Sequence, residues 1–287
     1  MRRALMVVIV LLLTACSNRH LGKPVAAAPV SVLSSYEITR DVVVTPPDWP
    51  QKLLADVYRP AGAGPFPSVL LIHGGAWKRG DRAQVKSLAE RIAARGYLVV
   101  NTTYRLVPQY VWPAQLHDVQ QAVRWMRSEE GVRLGIDGNR IGTFGYSAGG
   151  HLAALLGALS DEPKWGDAQT RIKAVVAGGD PADLPAFKDG RLVPAFIGAS
   201  WEENPQAYRD ASPIYHISAG DPPVFAYHAR YDMLVPFDQA TRYKEALDKA
   251  GITNELFVIG GHGHISGFFA DGDAVEASLT FLDRYLR

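Results

Sequence analysis

The spacing of hydrophobic positions changes several times along this chain, and each change marks an element. Residues 38–44 and 53–58 are strand-like and are separated by the turn-rich Pro46-Pro47-Asp48, so they are expected to form an antiparallel edge. Residues 68–72 are nearly continuous in apolar side chains, as a strand buried on both faces requires. A helical period runs over 83–94 and stops at Gly96. Residues 97–102 read as the next strand. Residues 113–128 read as a helix, with Pro113 near its start and Leu116, Val119, Val123 and Met126 on one face. Further strands are expected at 140–144, 171–177, 223–228 and 255–259, and further helices at 151–156, 238–250 and 274–286. Strands alternate with helices throughout, which predicts an α/β fold with a mostly parallel central sheet and helices on both faces. Between 180 and 222 the period dissolves into Pro, Gly and aromatic residues, as expected of a functional insertion in a compact domain.

Composition adds bounds. The chain has 287 residues, 47% of them hydrophobic, which is ample for a core. A net charge of +1 without charged tails gives no sign of nucleic-acid binding. The first fifteen residues read as a leader: Arg2-Arg3 is basic, and 5–13 is apolar but too short to span a bilayer. Cys16, the only Cys, therefore has no disulfide partner within the chain. Leu13-Thr14-Ala15-Cys16 resembles a bacterial lipobox. That resemblance implies a signal peptide at 1–15, a lipidated Cys16 and an exported chain anchored in the cell envelope. Ser17 after the Cys would favour the outer membrane, on its periplasmic side. An ordinary secretory signal cleaved near Ala15 is the alternative, and it too implies export. Residues 16–34, with Pro24, Pro29 and several Ser, are expected to be a flexible linker ahead of a domain at 35–287.

The chemistry centres on Gly145-Tyr146-Ser147-Ala148-Gly149, a G-x-S-x-G between a predicted strand and a predicted helix. This is the context of a nucleophile elbow, in which a sharp turn lifts the Ser clear of the sheet. A Ser nucleophile needs a base, an acid to orient that base, and N–H donors for a developing oxyanion. Asp232 follows the predicted strand 223–228 and is the favoured acid; Asp180 and Asp183 compete with it. Gly261-His262-Gly263-His264 follows the last strand, and either His262 or His264 could be the base. A metal held by the two His is not expected, because no Cys or acid cluster of ligand spacing accompanies them. His73-Gly74-Gly75-Ala76-Trp77 follows the buried strand 68–72, where its N–H groups and that of Ala148 could face a carbonyl oxygen. His73 itself is expected to be structural. Trp77, Phe187, Phe196, Trp201 and Tyr208 either line an acyl or aryl pocket or pack the insertion.

Taken together, these pieces resemble α/β-hydrolase esterases, of the branch shared by hormone-sensitive-lipase-like carboxylesterases and feruloyl-esterase-related bacterial esterases. The resemblance covers roughly residues 50–285. It rests on the loop 73–77, on 101–106 and 113–118, on 135–142, on the elbow, on the loop around Asp232, and on 261–266. It implies a Ser147, His264 and Asp232 triad, with Gly75, Ala76 and Ala148 as oxyanion donors. His264 is selected because an apolar residue and a Ser follow it. Tyr104, Arg105 and Asp118 become structural supports. Ala76 departs from the family's third Gly, which keeps the N–H but adds a methyl near the carbonyl. The implied activity is hydrolysis of small-molecule carboxylic esters through an acyl-enzyme, with no cofactor and no metal. An amidase, formamidase or small peptidase would share the triad, and a non-enzymatic lipoprotein would share the fold.

Overall fold

The computed structural model describes residues 17–22, 34–159 and 162–287. The expected signal peptide, Cys16 and residues 23–33 of the expected linker lie outside them. Nine strands form one sheet: β1 (Arg19–Leu21), β2 (Tyr36–Val43), β3 (Leu54–Pro60), β4 (Phe66–Ile72), β5 (Leu98–Thr102), β6 (Ile136–Tyr146), β7 (Ala174–Gly178), β8 (Val224–Ala229) and β9 (Asn254–Ile259). Their order is β1-β9-β8-β7-β6-β4-β5-β3-β2. From β5 through β9 neighbours run parallel; β2, β3 and β1 are antiparallel to theirs. The expected antiparallel edge is β2 on β3.

The strand β1 departs from the expectation of an unstructured linker. Arg19, His20 and Leu21 pair with Val258, Phe257 and Leu256 of β9. His20 Nε2 lies 2.7 Å from the Glu255 carboxylate, and Asn18 accepts from the Gly260 N–H at 3.0 Å. Three residues are too few to show a period in sequence; this strand exists because an edge and a buried carboxylate are there to receive it.

The helices divide between the two faces. On one side lie α2 (Ala114–Met126), α4 (Ala148–Ala158) and α7 (Asp238–Lys249); on the other lie α1 (Lys86–Ala94) and α9 (Gly272–Leu286). The strand period of two sorts the core accordingly: Leu70 and Ile72 of β4 pack with α2 and α4, while Val69 and Leu71 pack with α1 and α9. The α1 and α9 faces are Leu88, Ile92 and Val275, Leu279, Leu282, Leu286, at helical spacing. α4 has every residue buried, so it is a core helix behind the elbow. The short α3 (Glu129–Arg133) leads into β6, and the region 180–222 contributes only short pieces, among them α5 (Leu192–Ile197) and α6 (Pro205–Asp210). A final one, α8 (His264–Phe269), stands where sequence patterning shows only a Gly-rich loop.

Two buried acids set local stability. Asp118, fully buried on α2, accepts from the Arg105 N–H at 2.7 Å, from Arg105 Nε at 2.9 Å and from Trp49 Nε1 at 2.8 Å. This matches the structural role that the resemblance implies. Asp118→Ala strands the buried guanidinium without its counter-charge, and is expected to cost about 3–5 kcal/mol of unfolding free energy in a urea titration. Asp180, after β7, is buried with neither carboxyl oxygen bonded outside its own residue among those described. Burial pushes it from 3.8 up to about 7. The folded chain thus keeps a proton that the unfolded chain loses near pH 4. Asp180 therefore supports the fold fully at low pH, and that support fades as pH rises through 7. Asp180→Asn is expected to flatten the fall in unfolding midpoint between pH 4 and 8.

Candidate active site

The site begins with the turn between β6 and α4. Ser147 has φ 56° and ψ −123°, a left-handed conformation that an L residue adopts only under constraint. The constraint is local. The Ser147 N–H donates to the Gly178 carbonyl at 2.7 Å, and the Ser147 carbonyl accepts from the His151 N–H at 2.9 Å. A Cβ on Gly145 would collide with the Gly149 backbone, and one on Gly149 with the Ile72 carbonyl. Only glycine lets the strand, the helix and the neighbouring β4 approach this closely. Ala148 begins α4, so its N–H has no acceptor within the helix.

The structure brings three of the predicted side chains into one line. His264 Nε2 stands 2.9 Å from Ser147 Oγ, and His264 Nδ1 stands 2.6 Å from Asp232 Oδ2. Facing a carboxylate, Nδ1 carries the hydrogen, which leaves Nε2 as acceptor for the Ser147 hydroxyl. The other Asp232 oxygen accepts from the N–H groups of Leu234 at 2.9 Å and Val235 at 2.8 Å. Both acid and base are buried. Each comes from the C-terminal end of a strand: Ser147 after β6, Asp232 after β8, His264 after β9. That is where open α/β sheets collect their functional groups.

The competing candidates have other partners or none. Asp183 is paired with Arg242 and accepts from the Tyr215 hydroxyl at 3.0 Å. Asp180 faces α4, with its Cβ close to Gly150. The His262 carbonyl accepts from the Tyr231 N–H at 3.0 Å, while its imidazole has no hydrogen-bond partner among the described residues. His73 is buried, stacked on Tyr104 with ring centres 4.4 Å apart, and burial lowers its pKa. Among the described residues no group of three or more His, Cys, Asp or Glu converges as a metal would need.

The 73–77 loop is wound tightly beside the elbow. Gly75, Ala76 and Trp77 have φ of 114°, 55° and 57° in succession. The Gly75 carbonyl accepts from the N–H groups of both Lys78 and Arg79 at 3.1 Å. The Tyr104 hydroxyl donates to the His73 carbonyl at 3.1 Å, and the Val107 N–H to the Trp77 carbonyl at 3.0 Å. A Cβ on Gly74 would come within 2.9 Å of the Tyr146 carbonyl, so the loop rests against the elbow itself. Ala76 takes the left-handed conformation despite its methyl, at a cost of about 1 kcal/mol relative to glycine.

A cavity of about 310 Å³ opens beside Ser147. Ala76, Trp77 and Ala148 line it at the elbow; Pro181, Phe187, Leu192 and Val193 line it from the insertion, and Leu234 from the Asp232 loop. Of the five aromatics considered from sequence, Trp77 and Phe187 line this cavity. Phe196 lies behind it, stacked on Trp77 at 4.2 Å, and Trp201 packs edge-on to Tyr208 at 5.5 Å. Those three pack the insertion.

Sequence reasoning missed several supports. The Tyr146 hydroxyl donates to the His264 carbonyl at 2.6 Å, fixing the start of α8. His228, at the end of β8, is buried 3.5 Å from Asp232 with Nε2 at 2.8 Å from the Val235 carbonyl, and burial lowers its pKa. It braces the acid's loop as a neutral ring. Tyr146 stood inside the motif and was readable only as its variable position. His228 lies four residues before Asp232, a spacing that carries no signal by itself in a strand-to-loop segment.

A family model described as BD-FAE matches residues 55–247. Esterase LipC of Mycobacterium tuberculosis is 33% identical over 215 residues, 70% of this chain and 53% of that protein. The chain spans about half the length of the curated relatives it matches first. Among solved structures, esterase 2 of Thermogutta terrifontis phosphoramylated by tabun superimposes with a TM-score of 0.71 at 27% identity, covering 86% of this chain and 93% of that one. A truncated carbohydrate esterase from gut microbiota gives a TM-score of 0.74 over 91% of this chain and 100% of that one; at 24% identity it speaks for the fold alone. With its α/β-hydrolase fold and a match over most of its length, the chain belongs to the BD-FAE family.

Proposed function

We propose that the protein is a serine carboxylesterase that cleaves small-molecule esters through an acyl-enzyme. The observation that carries this reading is the chain of contacts from Asp232 through His264 to Ser147, ending at a strained turn that opens on an apolar cavity. The names of its relatives, esterases and carboxylesterases, support the reaction class. The leader reading belongs to the same proposal: the chain is exported and held in the bacterial cell envelope by lipid on Cys16, in the outer membrane and facing the periplasm.

In the first step His264 Nε2 takes the Ser147 proton as Oγ bonds to the ester carbonyl carbon. The carbonyl oxygen gains a negative charge. The Ser147 N–H is already spent on Gly178, so the donors left at the elbow are the Ala148 N–H and the N–H groups of Gly75 and Ala76 in the wound loop. Asp232 keeps the imidazole in the required tautomer and balances its positive charge. The proton passes to the leaving alkoxide, and the alcohol departs. Water then repeats the sequence against the acyl-enzyme and releases the acid. The acyl or aryl portion of the substrate rests against Trp77, Phe187 and Leu234.

Ser147→Ala is expected to lower turnover of p-nitrophenyl acetate by on the order of 10⁴-fold or more, with an unchanged melting curve. Activity retained in that variant would exclude Ser147 as nucleophile. His264→Ala should fall by a similar order, whereas His262→Ala should lose less than about tenfold, because only His264 touches the Ser147 hydroxyl. Equal losses in both would mean that a different imidazole acts as base. An ester-against-anilide panel with matched acyl groups separates esterase from amidase.

A further inference from the structure

Eleven large apolar side chains are exposed among the described residues. Single exposed apolar residues are ordinary; a grouped set is not. Six of the eleven stand on the segments that carry or line the site. Leu192 and Leu234 line it, Tyr231 and Met233 flank Asp232, and Ile265 and Phe269 lie on α8, the helix that His264 begins. Met233 is 94% exposed and Phe269 79%, so neither is serving the core. A seventh, Leu21 on β1, shares with Ser17, Arg230 and Tyr231 a neighbouring groove of about 850 Å³.

Two further observations say what covers this face. The first is where the chain leaves it. Ser17 lines the groove beside Tyr231, and β1 is pinned to β9 from Arg19 onward. Ser17 is thus held beside Tyr231, where the Asn18 side chain meets the Gly260 N–H at the end of β9. A lipid on Cys16, as proposed above, would tether the chain one residue from this groove. The second observation is charge. Arg191 lines the cavity and Arg230 lines the groove, its guanidinium 4.7 Å from the centre of the Phe237 ring, and neither forms an ion pair among the described residues. Unpaired cations beside apolar side chains suit a surface of lipid tails under anionic headgroups.

We propose that this face lies on the lipid bilayer, with Met233, Ile265 and Phe269 in the interface, so that the Ser147 cavity opens at the membrane surface. Its substrates are then amphiphilic acyl esters drawn from the lipid phase, the acyl chain entering the apolar cavity while the headgroup stays beside Arg191 and Arg230. This rests on the esterase and anchor readings above and deepens both.

The test uses the mature chain, lipidated at Cys16 and reconstituted into phosphatidylethanolamine–phosphatidylglycerol vesicles, so that anchoring is the same in every variant. Met233→Ser with Phe269→Ser should keep turnover of soluble p-nitrophenyl acetate within about twofold, and lose about tenfold on a long-chain acyl ester embedded in the same vesicles. Amide exchange at 231–235 and 264–269 should be slower in the parent than in the double variant, and Ser147→Ala should match the parent. Unchanged exchange, or equal losses on both esters, overturns the proposal. So does a patch-dependent dimer in sedimentation, which would make the face a contact between two copies. If the parent cleaves neither ester, the esterase reading fails, while the exchange result in Ser147→Ala still decides the membrane contact.

Discussion

One backbone conformation governs this molecule: the left-handed turn at Ser147. Residues held there cost of order 1–3 kcal/mol each and persist only where their surroundings leave no alternative. Here the surroundings are the buried end of a strand and a buried helix that must reverse direction within one residue. The Gly178 carbonyl holds the Ser147 N–H from the next strand, and Gly145 and Gly149 allow a contact closer than any side chain permits. The strain is thus maintained by the core behind it. The result is a hydroxyl that stands above the sheet at the mouth of an apolar cavity, with its own N–H already occupied and the N–H of Ala148 left over.

The other members of the site depend on that turn without sharing its strain. Asp232 is held by two N–H groups of its own loop, with His228 packed beneath as a ring that burial keeps neutral. His264 is the first residue of a short helix whose start is fixed by the Tyr146 hydroxyl, from the residue before Ser147. The elbow therefore places the proposed nucleophile and also helps place its base. The 73–77 loop is tied to the same point from the other side, through Gly74 against the Tyr146 carbonyl and Tyr104 under the His73 carbonyl. Four segments distant in sequence are located relative to one turn, which is what preorganised charge stabilisation requires.

What could be read from sequence divides along physical lines. The parallel strands were legible because burial on both faces leaves continuous apolar runs, and the long helices because they are amphipathic. Ser147 and Asp232 stood out as candidates because their local contexts, strand end and turn, are set by neighbours in the chain; local context left His262 and His264 open, and only the family resemblance singled out His264. β1 was not, since its three residues owe their strand to β9 and to Glu255 across more than two hundred positions. α8 was hidden by the glycines around its start. Phe196, Trp201 and Tyr208 show the limit of composition: an aromatic residue announces burial, but which side of an irregular segment it faces is settled only by packing. The Asp118 network was named as support through its family resemblance, and its geometry explains why, since it binds the Arg105 backbone and side chain at once.

The division of labour that emerges has a consequence for selectivity. The groups proposed to perform chemistry stand on strand ends, fixed by a core that tolerates little change. The walls of the cavity come instead from Pro181, Phe187, Leu192 and Val193 in the insertion and from Leu234, on segments of short helices and turns. Substitutions there alter volume and polarity beside Ser147 without moving the contacts among Ser147, His264 and Asp232. Ala76, like Ala148, touches both systems: it lines the same cavity, and its backbone lies in the wound loop proposed to offer N–H donors. A side chain at this position trades room at the carbonyl against the conformational ease that a glycine would have there, so it couples substrate fit to the geometry of the proposed N–H donors.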